Sequence, residues 1–84
     1  MATEEEFKAA VKRAESLPKR PSNDDLLELY SYFKQATSGD VSGKRPGMLD
    51  MKGRAKYDAW AKRKGLSAED ARAGYVKTVE RLGG

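Results

Sequence analysis

Four backbone breakers, Gly39, Gly43, Pro46 and Gly47, fall within nine residues and separate one helical pattern from the next. The surrounding stretch, YSYFKQATSGDVSGKRPGMLD at residues 30–50, begins as a helix: Tyr30, Phe33, Lys34 and Thr37 share one face at helical spacing. It ends as a loop, spanning 38–51. Connections longer than about 12 residues in a compact domain are either functional or disordered. A loop of this length can cross a small bundle, so the helices before and after it need not be adjacent and antiparallel. No strand alternation, repeat or low-complexity tract interrupts the rest of the chain.

Four helical segments are predicted. The first covers roughly 4–16. Thr3 and Glu6 form a capping box, Glu4 to Glu6 sit at the positive end of the helix dipole, and Phe7, Ala10, Val11, Ala14 and Leu17 make the apolar stripe. Pro18 stops it near Leu17, because the residue before a proline avoids helical geometry. The second covers roughly 22–37, capped by Ser22 or Asn23. Leu26, Leu27, Leu29, Tyr30 and Phe33 give it a wide apolar face, so it is expected to be the most buried helix. The third covers roughly 52–63, packs through Ala55, Tyr57, Ala59, Trp60 and Ala61, and ends at Gly65. The fourth covers roughly 67–82, starts on a Ser67–Asp70 capping box, carries Ala71, Tyr75, Val79 and Leu82 as its stripe, and frays at Gly83 and Gly84. The short connections at 18–21 and 64–66 predict roughly antiparallel pairs. The fold class is all-α, a four-helix bundle with one long crossover, and 84 residues make a single domain, 1–84.

Composition narrows the chemistry. The chain has no cysteine and no histidine. That removes disulfides, thiolate zinc, cysteine nucleophiles and the Ser-His system, and it argues against any transition-metal site. No catalytic residue and no metal ligand is assigned, and the chain reads as a non-enzyme. No apolar run approaches the roughly 20 residues of a membrane span, and the acidic start MATEEEFKAAV lacks a signal-peptide core. The expected compartment is the cytoplasm, and the expected state is a monomer.

Charge is local. Residues 41–64 carry eight lysines and arginines against two aspartates, a net of +6, whereas the remainder nets −2. Such a segment is either a solvated basic face or a seat for an anion. The loop and its flanking helices offer cations (Lys34, Lys52, Arg54, Lys56) and aromatics (Tyr30, Tyr32, Phe33, Tyr57, Trp60, Tyr75). Cations beside rings suit a ligand with phosphates and a planar base. The same rings also read as core, Trp60 foremost. Tyr30 and Tyr75 stay open between the two roles, because a buried tyrosine hydroxyl needs a partner. No Walker loop or GxGxxG is present. A small basic nucleic-acid-binding or protein-interaction module is the alternative, but no zinc finger, RNA-recognition sheet or reading head marks it.

Residues 30–60 closely resemble the signature of the acyl-CoA-binding protein family, also called diazepam-binding inhibitor. The matching pieces are Tyr30, Lys34-Gln35-Ala36-Thr37, Gly39-Asp40, Arg45-Pro46-Gly47, Asp50, and Gly53 through Trp60. The resemblance implies an up-down-down-up bundle and a non-catalytic carrier of medium- to long-chain fatty acyl-CoA. No cofactor, no stable nucleic-acid partner, and at most transient contact with membranes or acyl-CoA-using enzymes go with it. Its expected ligand-binding residues here are Tyr30, Ser31, Tyr32, Phe33, Lys34, Lys52, Lys56 and Tyr75. The resemblance gives Tyr30 to the phosphate region, Lys56 to the 3′-phosphate, and Tyr75 to the thioester region. Three departures stand out: Phe33 replaces a tyrosine and keeps only the ring face, Tyr57 replaces a tryptophan, and Glu15 replaces a lysine.

Overall fold

The computed structural model describes Thr3 to Gly84. The chain forms α1 (Glu4–Ala14), α2 (Asn23–Ser38), α3 (Met51–Ala61) and α4 (Ala68–Arg81). Side chains cap every start. Thr3 Oγ1 accepts the Glu6 N–H and the Glu6 carboxylate accepts the Thr3 N–H, both at 3.1 Å. Ser22, rather than Asn23, caps α2 at 3.1 Å, and Asp50 caps α3 through the Gly53 N–H at 3.0 Å. Ser67 accepts the Asp70 N–H at 3.0 Å, which is only half of the expected box. The Asp70 carboxyl is one methylene shorter than that of Glu6 and makes no return bond.

Three ends differ from expectation, among them that of α3, which stops at Ala61 with Lys62 as its C-cap, short of Gly65. α1 stops at Ala14, where the Glu15 and Ser16 N–H groups tighten onto the carbonyls of Lys12 and Arg13; Leu17 lies past the helix yet still packs on the core. α4 does not fray. Gly83 takes φ +96°, and the Gly84 N–H reaches the Val79 carbonyl at 2.9 Å, the Schellman arrangement.

Pairings along the helices set their directions. Tyr30 meets Lys56 and Lys34 meets Trp60, so α2 and α3 run parallel. Asp25 and Glu28 meet Arg81, while Tyr32 lies against Gly74, so α2 and α4 run antiparallel. Phe7 meets Tyr75 and Leu17 approaches Gly84, so α1 and α4 run parallel. This is the up-down-down-up order. A parallel pair cannot be joined by a tight turn, and residues 39–50 supply the crossover.

The packed pairs are α1 on α4, α4 on α2, and α2 on α3. The two short connections do reverse the chain, but the backbones of the helices they join do not lie side by side; α1 reaches α2 through side chains, as Phe7 does Phe33. Nor does α1 pack on α3, so the molecule is a slab of 34 × 28 × 15 Å with a gap between them, floored by α2. Phe7, Ala10, Leu29, Tyr75 and Val79 form the core. Among the described residues α4 buries Ala71, Tyr75, Thr78 and Val79, and α2 buries only Leu29, Ser31 and Gln35. α2 is therefore not the most buried helix: Leu26 and Phe33 are 39% and 38% exposed because no helix closes over that face. Its other side packs tightly. A β-carbon at position 74 would overlap the Tyr32 ring, which explains a glycine inside α4.

Candidate functional site

Residues three and four apart on a helix share a face, and Leu26, Leu29, Tyr30 and Phe33 share the one that α2 turns to the gap. Two clefts flank it. One, of about 350 Å³, is apolar: Val11 and Ala14 of α1, Leu26, Leu29 and Phe33 of α2, and Tyr75 of α4 line it, with Glu15 at its margin. The other, of about 440 Å³, lies between α2 and α3, where Leu26, Leu27, Met51 and Ala55 are rimmed by Arg20, Lys52 and Lys56. Tyr30 and Leu26 line both. The clefts form one groove with an apolar half and a cationic half.

The apolar half has an aromatic floor. The Phe7 and Tyr75 rings meet edge to face at 5.1 Å, and Phe33 lies 5.9 Å from Phe7 and 6.3 Å from Tyr75. Burial, and secondarily the nearby Glu15 carboxylate, push the Tyr75 phenol above its ordinary value. It stays protonated at neutral pH, a hydrogen-bond donor that meets no partner among the described residues. In the cationic half, Lys56 Nζ sits 5.4 Å over the Tyr30 ring, and one turn on Lys34 Nζ sits 4.7 Å over Trp60. These are cation–π contacts that water or an anion can replace.

The crossover is pinned at several points. Trp60 Nε1 donates to the Gly39 carbonyl at 2.8 Å, and Tyr57 Oη donates to that of Gly43 at 3.1 Å. Arg45 forks onto Asp58 at 2.9 and 2.7 Å. Asp40 accepts the Gly65 N–H and buried Gln35 Nε2, both at 2.8 Å. Those bonds hold the Asp40 carboxyl below its ordinary value, with the Gly65 N–H the larger cause. A carboxyl depressed by folding stabilises above its unfolded value and loses that contribution as pH falls through the folded one. The melting temperature should therefore fall as pH drops below about 3.8, and Asp40→Asn should flatten some of that slope in a thermal-melt series. An unchanged slope would show that Asp25 and Asp58, depressed by their arginine partners, and Glu6, depressed by its bonds with Thr3, carry the acid response without Asp40.

The expected site residues divide by direction. Tyr30, Phe33, Lys52, Lys56 and Tyr75 line the groove. Lys34 lies one turn beyond, on the Trp60 face. Ser31 and Tyr32 point elsewhere, since the one or two steps of about 100° that separate them from Tyr30 carry them off its face. Ser31 is 1% exposed, donates to the Glu28 carbonyl at 2.7 Å and accepts Arg63 Nε at 2.9 Å. The Tyr32 ring lies between Gly74 and the Arg63 guanidinium, 4.0 Å away. The basic segment is not one continuous face either, because Arg45 and Arg63 are engaged with Asp58, Ser31 and Glu28.

Leu26, Leu27, Ala55, Met51 and Arg20 also line the groove. Sequence reasoning places the first three in packing and does not single out the last two. The spacing of Leu26, Leu29, Tyr30 and Phe33 is the available signal, but periodicity does not say whether a face meets a helix or a ligand. A larger cleft of about 610 Å³ opens on the reverse side of α2 and α3. Of its charged residues, Asp25, Glu28, Asp58 and Arg63 are held in ion pairs, and its apolar lining is Leu27, Ala55 and Ala59.

The family model described as "Acyl CoA binding protein" matches residues 4–79. An acyl-CoA-binding protein homolog of Manduca sexta is 51% identical over 83 residues, covering 98% of this chain and 92% of the relative. One from Drosophila melanogaster is 51% identical over 78 residues, covering 93% and 91%. Among solved structures, Oryza sativa Acyl-CoA-Binding Protein 2 superposes with a TM-score of 0.89 at 44% identity, over 94% of this chain and 86% of that one. The protein from Moniliophthora perniciosa gives 0.89 at 42%, over 96% and 80%.

Proposed function

The chain belongs to the acyl-CoA-binding protein family, and from that premise we propose that it binds medium- to long-chain fatty acyl-CoA esters as a non-catalytic carrier and pool former. It works as one domain over residues 1–84, as a cytoplasmic monomer, without a cofactor. The observation that carries this reading is the groove with two unlike halves meeting at Tyr30 and Leu26. An acyl-CoA has the same duality. Lys52, Lys56, Lys34 and Tyr30 serve the phosphates, Phe33 offers its face to the base, and Tyr75 donates its unpartnered hydroxyl near the thioester. Ser31 and Tyr32 support α2 from behind and do not touch the ligand.

The acyl chain supplies most of the affinity. At about 0.8 kcal/mol per buried methylene, a sixteen-carbon chain contributes on the order of 10 kcal/mol gross, of which ordering and lost translation remove a large share. The CoA head supplies selectivity through charge-assisted hydrogen bonds. Isothermal titration with palmitoyl-CoA, free CoA and palmitate tests this. One-to-one binding of palmitoyl-CoA, at least roughly 1,000-fold tighter than CoA, is expected, with palmitate also far weaker. Equal affinity for either half alone would overturn the reading of a groove with two halves.

A further inference from the structure

Among the described residues five large apolar side chains stand exposed, and two of them, Leu26 and Phe33, lie on the face that α2 turns to the groove. The other three cluster in sequence at the end of the crossover: Met48 is 81% exposed, Leu49 101% and Met51 78%. They are not loosely placed. The Asp50 N–H closes a turn onto the Gly47 carbonyl at 3.0 Å, and the Arg45–Asp58 fork and the Tyr57–Gly43 bond hold the loop behind them. The fold thus presents apolar side chains outward on a tethered turn. Exposed apolar groups with a polar rim mark a binding surface.

We propose that Met48, Leu49 and Met51 form an edge that docks on an anionic lipid bilayer and sets the mouth of the groove against it. Charge complementarity selects this occupant. Exposed Lys44 and Lys52 flank the three residues, Arg45 is neutralised on Asp58, and the one acid among them, Asp50, is turned back to cap α3. Each basic residue near an anionic surface raises partitioning roughly fivefold. A bilayer interface accepts single inserted side chains without a matching shape, whereas a protein partner needs an extended complementary surface. Continuity adds a second argument: Met51 also lines the cationic cleft beside Lys52 and Ala55. The edge is thus continuous with the mouth of the groove. The purpose of the edge rests on the carrier reading, but its test does not.

The experiment is co-sedimentation of the ligand-free protein with vesicles of phosphatidylcholine alone and of phosphatidylcholine mixed with phosphatidylserine. The wild type should partition onto the anionic vesicles and be released by salt. Met48→Asp/Leu49→Asp should lower that partitioning at least about tenfold, and Lys44→Glu should lower it several-fold. Met48 and Leu49 lie outside the clefts, so the double variant should titrate with palmitoyl-CoA in solution as the wild type does. No wild-type partitioning, or equal partitioning by the double variant, overturns the docking edge. A wild type that self-associates through this patch and ignores vesicles overturns it in favour of a second copy. Failure of palmitoyl-CoA to bind either protein counts against the carrier reading alone and leaves the vesicle result standing.

Discussion

Trp60→Ala should destabilise the protein by about 3–5 kcal/mol, the usual cost of deleting a large buried aromatic side chain. Trp60 is 8% exposed, its Nε1 holds the Gly39 carbonyl at 2.8 Å, and its face lies under Lys34. One side chain thus joins α3, the end of α2 and the first residue of the crossover. Small domains have only about 5–15 kcal/mol in all, and each kcal/mol moves the melting point of a domain this size by roughly 4–8 °C. The expected fall is on the order of 15 °C or more. Trp60→Phe separates the causes. It keeps most of the packing and loses the bond to the Gly39 carbonyl, so it should cost about 1 kcal/mol. Chemical denaturation of the three proteins measures both. A loss below about 1 kcal/mol for Trp60→Ala would mean that the Asp40 and Arg45 pins hold the crossover unaided.

The second large effect concerns the ligand. Lys56→Ala should weaken palmitoyl-CoA binding by roughly 10- to 100-fold, the range for one hydrogen bond to a charged group. Lys56 is exposed, its Nζ lies 5.4 Å over the Tyr30 ring, and among the described residues it makes no ion pair. Its removal should leave the melting point nearly unchanged, within the range of surface substitutions. Binding of palmitate should not change, since it lacks the phosphates. Titration calorimetry beside a thermal melt separates the two readouts. A variant that binds palmitoyl-CoA like its parent would place the CoA head away from the cationic cleft, toward Lys34.

Lys34 and Lys56 also show why sequence and structure complement each other here. The signature match singles both out, but only the fold pairs them in parallel, Tyr30 with Lys56 and Lys34 with Trp60, so that cations and rings alternate along one seam. Trp60 reads as core and is core. Tyr75 is open between two roles in the sequence; in the structure its ring packs edge-on against Phe7 while it lines the groove, and among the described residues its hydroxyl has no partner.

Local interactions are legible because they act within a few residues. The caps at Thr3, Ser22 and Ser67, the four helices and the need for a crossover all follow from side chains three or four positions apart, or from backbone that proline and glycine restrict. The family is legible too, since ordered blocks from Tyr30 to Trp60 leave little freedom. Where the helices lack neighbours is a matter of their mutual arrangement alone. α1 packs on α4 and α3 on α2, and the gap between α1 and α3 leaves Leu26 and Phe33 in the open. An apolar stripe carries the same pattern whether it faces a helix, a ligand or a bilayer. Its periodicity is a property of one helix, and its partner is a property of how all four are arranged.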